Sequence, residues 1–368
     1  LRLVSILDKP MNPVQDELTF INDISEIRIN PETGLIDQYK VHGFDYLKTD
    51  SAELLVMNDN ADPWGMKVNS FSELAGRFRL MSPSETARFA GTQGPVEPVR
   101  IIENGPIRVV VEGLFKYQNS TAMVRYLIPK KGAAIDIQVR VFWMEKDRML
   151  KMAFPGKIID PDCLGQVAFG VQKFDREGEE LVAQNWVGLF SPDSEHALTI
   201  ANQTTYGFDY SDGQIRLSLL RSPAYAGHPI NDVTPIVRQD RLTQRIDQGE
   251  HFFVFRIHAG QKNERLEQID LESRQLNVGA IGLCCFPDGK GKIHQPAVAL
   301  SDPSIRISAL KMAEDSDNLI IRLFETTGTA RTLTVRIPML DLNIPLSLSE
   351  FEIKTLSINT YSKEIQET

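Results

Sequence analysis

The chain has 368 residues, is 42% hydrophobic and 24% charged, and carries a formal net charge of −9. That length suggests two or three domains of ordinary size, the composition is that of a soluble globular protein, and no apolar run approaches the ~20 residues of a membrane-spanning helix. The acidic balance argues against a nucleic-acid partner, because phosphate binding needs a Lys/Arg surplus on some face, and no basic run interleaved with aromatics occurs.

The opening "LRLVSILDKPMNPVQ" starts at Leu1 rather than Met, has two prolines and shows little periodicity. It reads as a connector, residues 1–17, from an upstream domain, so the sequence says nothing about a signal peptide. "ISEIRINPETGLIDQYKV" (Ile24–Val41) reads as two short strands about a Pro/Gly turn. The apolar run "AELLVM" leads into "MNDNADPWGM" (Met57–Met66), a loop with acids beside Pro63, Trp64 and Gly65. "SPSETARFAG" fits one or two helical turns, with Ser82 or Ser84 as N-cap.

"IRVVVEGLF" and "MVRYLI" are strand-like, and "AIDIQVRVFW" alternates strictly. Ile135, Ile137, Val139, Val141 and Trp143 face one way there, and Asp136, Gln138 and Arg140 the other. "IRLSLL", "HFFVFRI", "NLIIRLFET" and "TLTVRIPM" continue the pattern, with turn signals such as "YSDGQ" and "DQGE" at short intervals. The second helix candidate is "NERLEQIDLESRQL" (Asn263–Leu276), with Leu266, Ile269 and Leu276 at rough helical spacing. This rhythm predicts an all-β, antiparallel architecture.

The glycine- and proline-containing stretch "NVGAIGLCCFPDGKGKIHQP" is the likeliest boundary in the pattern. It divides a large β domain, 18–270, from a small one, 295–368, through a linker at 271–294. The large region exceeds the ~100 residues of an immunoglobulin-type sandwich and suggests two very large facing sheets.

The three cysteines, Cys163, Cys284 and Cys285, form no disulfide framework and fit a reducing, cytoplasmic setting. The six histidines show no metal-ligand spacing, and His251 and His258 point to opposite faces of one strand-like segment. No Gly-x-Ser-x-Gly elbow and no phosphate cradle occur. A glycosidase needs two carboxylates roughly 5–10 Å apart, and among 49 acids no pair stands out by sequence. The residues alone define a large β protein without a complete catalytic set.

Several strings, in order, resemble the C-terminal region of glycoside hydrolase family 38, the α-mannosidases. They are "DNADPWGM" (Asp59–Met66), "ENGPIRVVVEG" (Glu103–Gly113), "IDIQVRVFWMEKDRMLKMAFP" (Ile135–Pro155), "AQNWVGL" (Ala183–Leu189), "TTYGFDYSDGQIRLSLLRSPAYA" (Thr204–Ala226) and "ALKMAEDSDNLIIRLFETTG" (Ala309–Gly328). The resemblance implies a galactose-mutarotase-like supersandwich followed by a small β-sandwich. It also implies a separate N-terminal α/β barrel and helical bundle as partners. In the family the barrel supplies the nucleophilic Asp and the zinc site with its His-x-Asp motif, which this sequence lacks. The chain is therefore expected to hold no catalytic residue, no metal and no cofactor of its own, and to be inactive alone. Zinc is expected in the catalytic domain, and a mannose-containing carbohydrate as substrate. A homo-oligomer is left open.

The resemblance further implies that the β region lends an aromatic and an arginine to the rim of the active site. Asp62, Trp64 and Arg221 are the substrate-binding candidates. Asp62 and Trp64 read as a sugar-contacting acid and a stacking platform, or as a turn anchor and a residue closing the sandwich. Arg221, at a strand end in "LLRSPAYA", reads as a planar donor for hydroxyls or as a strand-end salt bridge. Tyr206 and Asp209 read mainly as a turn anchor, Trp143 and Trp186 as core, and Glu103 with Arg108 as a structural pair. The alternative is a stand-alone carbohydrate-binding or mutarotase-like β-sandwich protein. It needs a His and a carboxylate converging on the concave face of the large sheet, with His251 or His258 as candidates.

Overall fold

Alternation of apolar and polar residues sets the strands, and hydrogen-bonded hairpins order them into five antiparallel sheets among the described residues. The computed structural model describes residues 18–59, 68–193, 195–224, 242–279, 281–282 and 295–367. A four-stranded sheet (Leu18–Ile21, Ser25–Ile29, Ile36–Val41, Phe44–Asp45) comes first. The strand pair about the "NPETG" turn lies within it.

Two large sheets follow. The ten-stranded one runs Gly170–Lys173, Asp162–Val167, Trp186–Phe190, Ala197–Gln203, Gly249–Gly260, Ile135–Trp143, Ser120–Pro129, Arg108–Tyr117 and Arg79–Leu80, with Val99–Asn104 also paired to Arg108–Tyr117. The six-stranded one runs Leu181–Val182, Gly207–Ser211, Gln214–Arg221, Arg148–Pro155, Glu53–Asn58 and Leu74–Arg77. Their inner faces share one core. Ile135, Ile137, Val139, Val141 and Trp143 from one sheet, and Leu54, Val56, Leu150, Met152 and Phe154 from the other, are all buried in it. The first sheet joins this core through Ile27, Ile29 and Tyr39. Tyr39 is pinned by polar bonds at depth: its hydroxyl donates to the Ala133 carbonyl at 2.7 Å and accepts from the Ala259 N–H at 3.2 Å. Burial pushes its phenol well above the usual range, outweighing the Ala259 N–H and the Arg265 charge, which act the other way.

Two α-helices occur among the described residues. α1, Pro83–Ala90, is set by Ser82 as N-cap in a capping box with Glu85 and ends at Gly91 in the left-handed region. Ser82, not Ser84, is therefore the cap. α2, Lys262–Asn277, lies on the outward face of the ten-stranded sheet. Its Leu266, Ile269 and Leu276 pack with Trp186, Phe190, Ala197 and Ala201, as the helical spacing predicts.

Residues 295–367 form a three-stranded and a four-stranded sheet around a second core of Ile305, Ile321, Leu323, Leu333, Val335, Ile337, Leu356 and Ile358. α2 ties the two β units together. Asp270 binds Arg306 at 2.8 Å, Glu267 binds Arg331 at 3.1 Å, and Arg274 Nη1 donates to the Ile307 carbonyl at 3.1 Å. The architecture is all-β, as the sequence pattern predicts.

Candidate functional site

Three strands of the six-stranded sheet bring their ends together at one corner: Glu53–Asn58, Arg148–Pro155 and Gln214–Arg221. Met57 pairs with Met149, and Met149 with Arg221, so these three side chains share the outward face. Asp59 follows the first strand, and its N–H donates to the Asp147 carbonyl at 3.1 Å. The Asp147 N–H donates in turn to the Ser222 carbonyl at 2.9 Å. Strand pairing thus delivers Asp59 and Arg221, which stand 162 residues apart in sequence, to one place.

There the Arg221 guanidinium donates through Nη2 to Asp59 Oδ1 at 2.7 Å and through Nε to Oδ2 at 3.1 Å. The Asp59 carboxylate is fully buried, while the Arg221 side chain keeps 21% of its surface exposed. The Phe71 ring packs against the guanidinium, 4.6 Å from its Cζ, a cation–π contact. Phe71 belongs to an apolar cluster on the same outward face, with Leu55, Met57, Met149 and Ala153. Arg221 is therefore held in position and orientation by a charge on its edge and a ring on its face.

A second fork lies beside it. Arg245 donates through Nε and Nη2 to the two oxygens of Asp147, both at 2.9 Å. A bridge between Ala224 and Arg245, with Ile246 N–H donating to Pro223 at 3.2 Å, closes the neck of the segment 225–241. The corner is thus where 60–67 and 225–241 both leave the sheet. Asp62 and Trp64 lie outside the described residues, as do Cys284, Cys285, His228 and His294.

Further along the same face, Lys151 is completely buried. Its ammonium bonds Asp209 at 2.5 Å, Ser218 at 3.1 Å and Glu180, and Arg216 bonds the other Asp209 oxygen at 2.6 Å. Asp209 is therefore not a turn anchor but a buried strand residue in a four-charge cluster, while Tyr206 is half-exposed before that strand. Glu180 also fixes the cover over this face: its N–H donates to the Asn69 carbonyl, and Ser70 donates to the Gly178 carbonyl. Trp143 and Trp186 are buried, and Glu103 and Arg108 form a bidentate pair across a hairpin.

His258 does meet a carboxylate, Glu272, at 3.0 Å. The pair lies beneath α2 on the outward face of the ten-stranded sheet, because Phe255 and Ile257 occupy the inward face of the same strand. His251 is separate and bonds the Asp247 carbonyl at 2.8 Å. Glu272 is also held by both terminal nitrogens of Arg265, at 2.9 and 2.6 Å. Burial alone would raise its pKa, but the bonds from His258 and Arg265 outweigh that and hold it down at about 2. So strong an acid is a poor general base.

Arg245, Asp147, Phe71 and Lys151 carry no sequence signal that would place them here. Phe71 sits in a polar stretch, and the partners of the other three are distant in the chain.

The model of the glycosyl hydrolases family 38 C-terminal domain matches residues 21–232, more than half of the chain. The chain belongs to glycosyl hydrolase family 38. A second model, the family 38 C-terminal beta sandwich domain, matches residues 304–345. The chain is 23% identical over 248 residues to alpha-mannosidase G of Dictyostelium discoideum, covering 63% of this chain and 21% of that protein. It is 24% identical over 208 residues to human alpha-mannosidase 2C1, covering 53% and 18%. An alpha-mannosidase structure from Enterococcus faecalis shares the fold, with a TM-score of 0.69 at 13% identity over 93% of this chain and 42% of that one. The match thus spans about a fifth of the length of these curated relatives. No helix among the described residues is long and apolar enough to cross a membrane.

The zinc that the family resemblance implies does not fit the residues at this corner. Asp59 and Asp147 are each spent on an arginine fork. Among the described residues no three His, Cys, Asp or Glu side chains gather as a metal site would require.

Proposed function

We propose that this family 38 chain is the non-catalytic β part of a retaining, zinc-dependent α-mannosidase. It completes one wall of an active-site cleft whose nucleophile and zinc belong to a separate barrel domain. The reading rests on Arg221, a part-exposed guanidinium pre-set by Asp59 and Phe71 at the corner where 60–67 and 225–241 leave the sheet. Donors fixed before the ligand arrives cost little reorganisation when they meet it. With its Nε–Nη2 edge taken by Asp59, the guanidinium would meet a hydroxyl or the adjoining domain through its outer edge. Asp62 and Trp64, a few residues beyond Asp59, would share that wall. The partners are the barrel with its helical bundle, and a mannose-containing carbohydrate. A cytoplasmic setting accords with Cys163, a buried free thiol.

A stand-alone mutarotase-like activity would require His258 and Glu272 to act in acid–base exchange on the concave face. The pair lies on the outward face of the ten-stranded sheet, covered by α2, and its carboxylate is committed to Arg265.

The deciding experiment is an assay of the purified chain with an aryl α-mannoside, with and without added zinc. No turnover is expected in either case, and activity is expected to return when the catalytic domain of the same enzyme is supplied. Turnover that survives repurification would overturn the proposal.

A further inference from the structure

A crevice of about 420 Å³ opens between the end of the ten-stranded sheet, the C-terminal half of α2 and the small β unit. Two aromatic rings stand in its wall: Phe169, 44% exposed, and Phe324, in edge-to-face contact with centroids 5.2 Å apart. Trp186 lines it too, and its buried indole Nε1 has no hydrogen-bond partner among the described residues. Asn185, Asn277 and Arg274 supply amide and guanidinium groups. The carboxylate at its floor, Asp270, is already neutralised by Arg306 at 2.8 Å and bonded by Gln166 at 2.7 Å. The crevice therefore has no carboxylate left to attract a cation.

Phe169 adds an independent observation. It lies in the two-residue turn between Asp162–Val167 and Gly170–Lys173, with φ at +57°. That conformation suits glycine or asparagine in such hairpins, and a large aromatic there is strained. Strain of this kind persists where the surroundings over-determine it, and it clusters at ligand clamps. Here it keeps a ring at the mouth of the crevice.

We propose that this crevice binds a neutral pyranose, a free sugar or one residue of an oligosaccharide. An aromatic face takes the C–H side of the ring, and the Asn185 amide, the Asn277 side-chain oxygen and Arg274 take its hydroxyls, the Asn277 NH2 being already donated to the Asn202 and Ser273 carbonyls. The Trp186 N–H is closed to solvent, so its indole contributes apolar wall to the crevice rather than a donor. This site shares no residue with the Arg221 corner, and the proposal stands whether or not Arg221 faces a substrate.

The test is a saturation-transfer NMR titration of the whole chain with methyl α-mannoside, methyl α-glucoside and methyl β-galactoside. Saturable binding in the millimolar range is expected for at least one of them. Phe169→Gly removes the ring yet favours the positive φ, so its melting temperature should hold or rise. Its affinity should fall about tenfold, the worth of one aromatic platform. Asn185→Ala should weaken binding without touching the turn. No saturable binding by any of the three glycosides would overturn the proposal. So would binding that survives both Phe169→Gly and Asn185→Ala.

Discussion

Arg221 and Arg265 make the same kind of ion pair in opposite surroundings. In the Arg265 pair the cation is sealed, with 2% of its side chain exposed, and the carboxylate of Glu272 sits nearer the edge at 18%. In the Arg221 pair the carboxylate is sealed, with Asp59 at 0%, and the guanidinium reaches outward at 21%. Arg265 also spends its Nε on Thr199 at 3.2 Å and an Nη on Gln268 at 3.2 Å. It fastens α2 to the sheet. Arg221 is fastened from behind, by Asp59 on its Nε edge and Phe71 on its face. A sealed cation is a joint; a sealed anion behind a part-exposed cation leaves the guanidinium edge toward the surface, the geometry on which the proposed sugar contact rests. The contrast gives two residues that look alike as sequence opposite surroundings.

The largest expected effect breaks the joint. Arg265→Met leaves the Glu272 carboxylate part-buried without its principal cation. Removing one partner of a buried pair costs about 3–5 kcal/mol. Chemical denaturation of the whole chain measures it, with the unfolding slope used to confirm that cooperativity is unchanged. A cost under about 1 kcal/mol, the range of exposed pairs, would show that Arg265 is not a joint.

The same joint should be acid-sensitive. The folded-state pKa of Glu272 is depressed to about 2 by His258 and Arg265 against the opposing effect of burial. Its contribution is therefore fully present above the ordinary carboxyl value of ~4.3 and is lost as pH falls through the folded value. Partial exposure reduces the linkage to about 2 kcal/mol. The stability gap between the wild type and Glu272→Gln should narrow between about pH 4.5 and pH 2. A gap that stays constant over that window would place the depression elsewhere.

At the other pair, Asp59→Asn keeps the shape and removes the charge behind Arg221. The guanidinium can then draw on solvent, so the stability cost should be about 1–2 kcal/mol, below that of Arg265→Met. Equal melting losses in the two variants would remove the distinction between the joint and the part-exposed pair.

Period-2 alternation made Ile135–Trp143 legible, because each residue faces either hydrocarbon or the outer side and the string records which. The α2 stripe was legible for the same reason at helical period. Arg221 could be singled out as a strand-end arginine, but its partner could not, since Asp59 arrives through strand pairing across 162 residues. Periodicity also misleads at Lys151 and Asp209. A charged residue on the outward face reads as solvated, yet 178–180 and Asn69–Phe71 cover that face, and no local pattern announces a cover. The His258–Glu272 pair was legible as a candidate only, because which face a strand turns inward depends on the opposing sheet.

The smallest effect on stability should have the clearest consequence for function. Arg221→Lys keeps the positive charge beside Asp59 and allows one hydrogen bond in place of two. It loses the planar fork and the flat contact with Phe71. With a fifth of the side chain in solvent, the stability cost should stay under about 1 kcal/mol. If Arg221 presents donors to a sugar in the assembled α-mannosidase, the substitution removes a hydroxyl contact that lysine cannot restore. kcat/KM should then fall about tenfold, the worth of one well-placed bond of this strength. The pattern locates the contact: kcat and kcat/KM falling together mean that it forms in the transition state, while a rise in KM alone means uniform binding. Arg265→Lys is the matching control, because a residue confined to a joint should move the melting temperature and leave the kinetics of the folded enzyme alone. If Arg221→Lys leaves both parameters unchanged in an enzyme of normal melting temperature, the guanidinium is a strand-end fastener like its counterpart, and the proposed sugar contact falls.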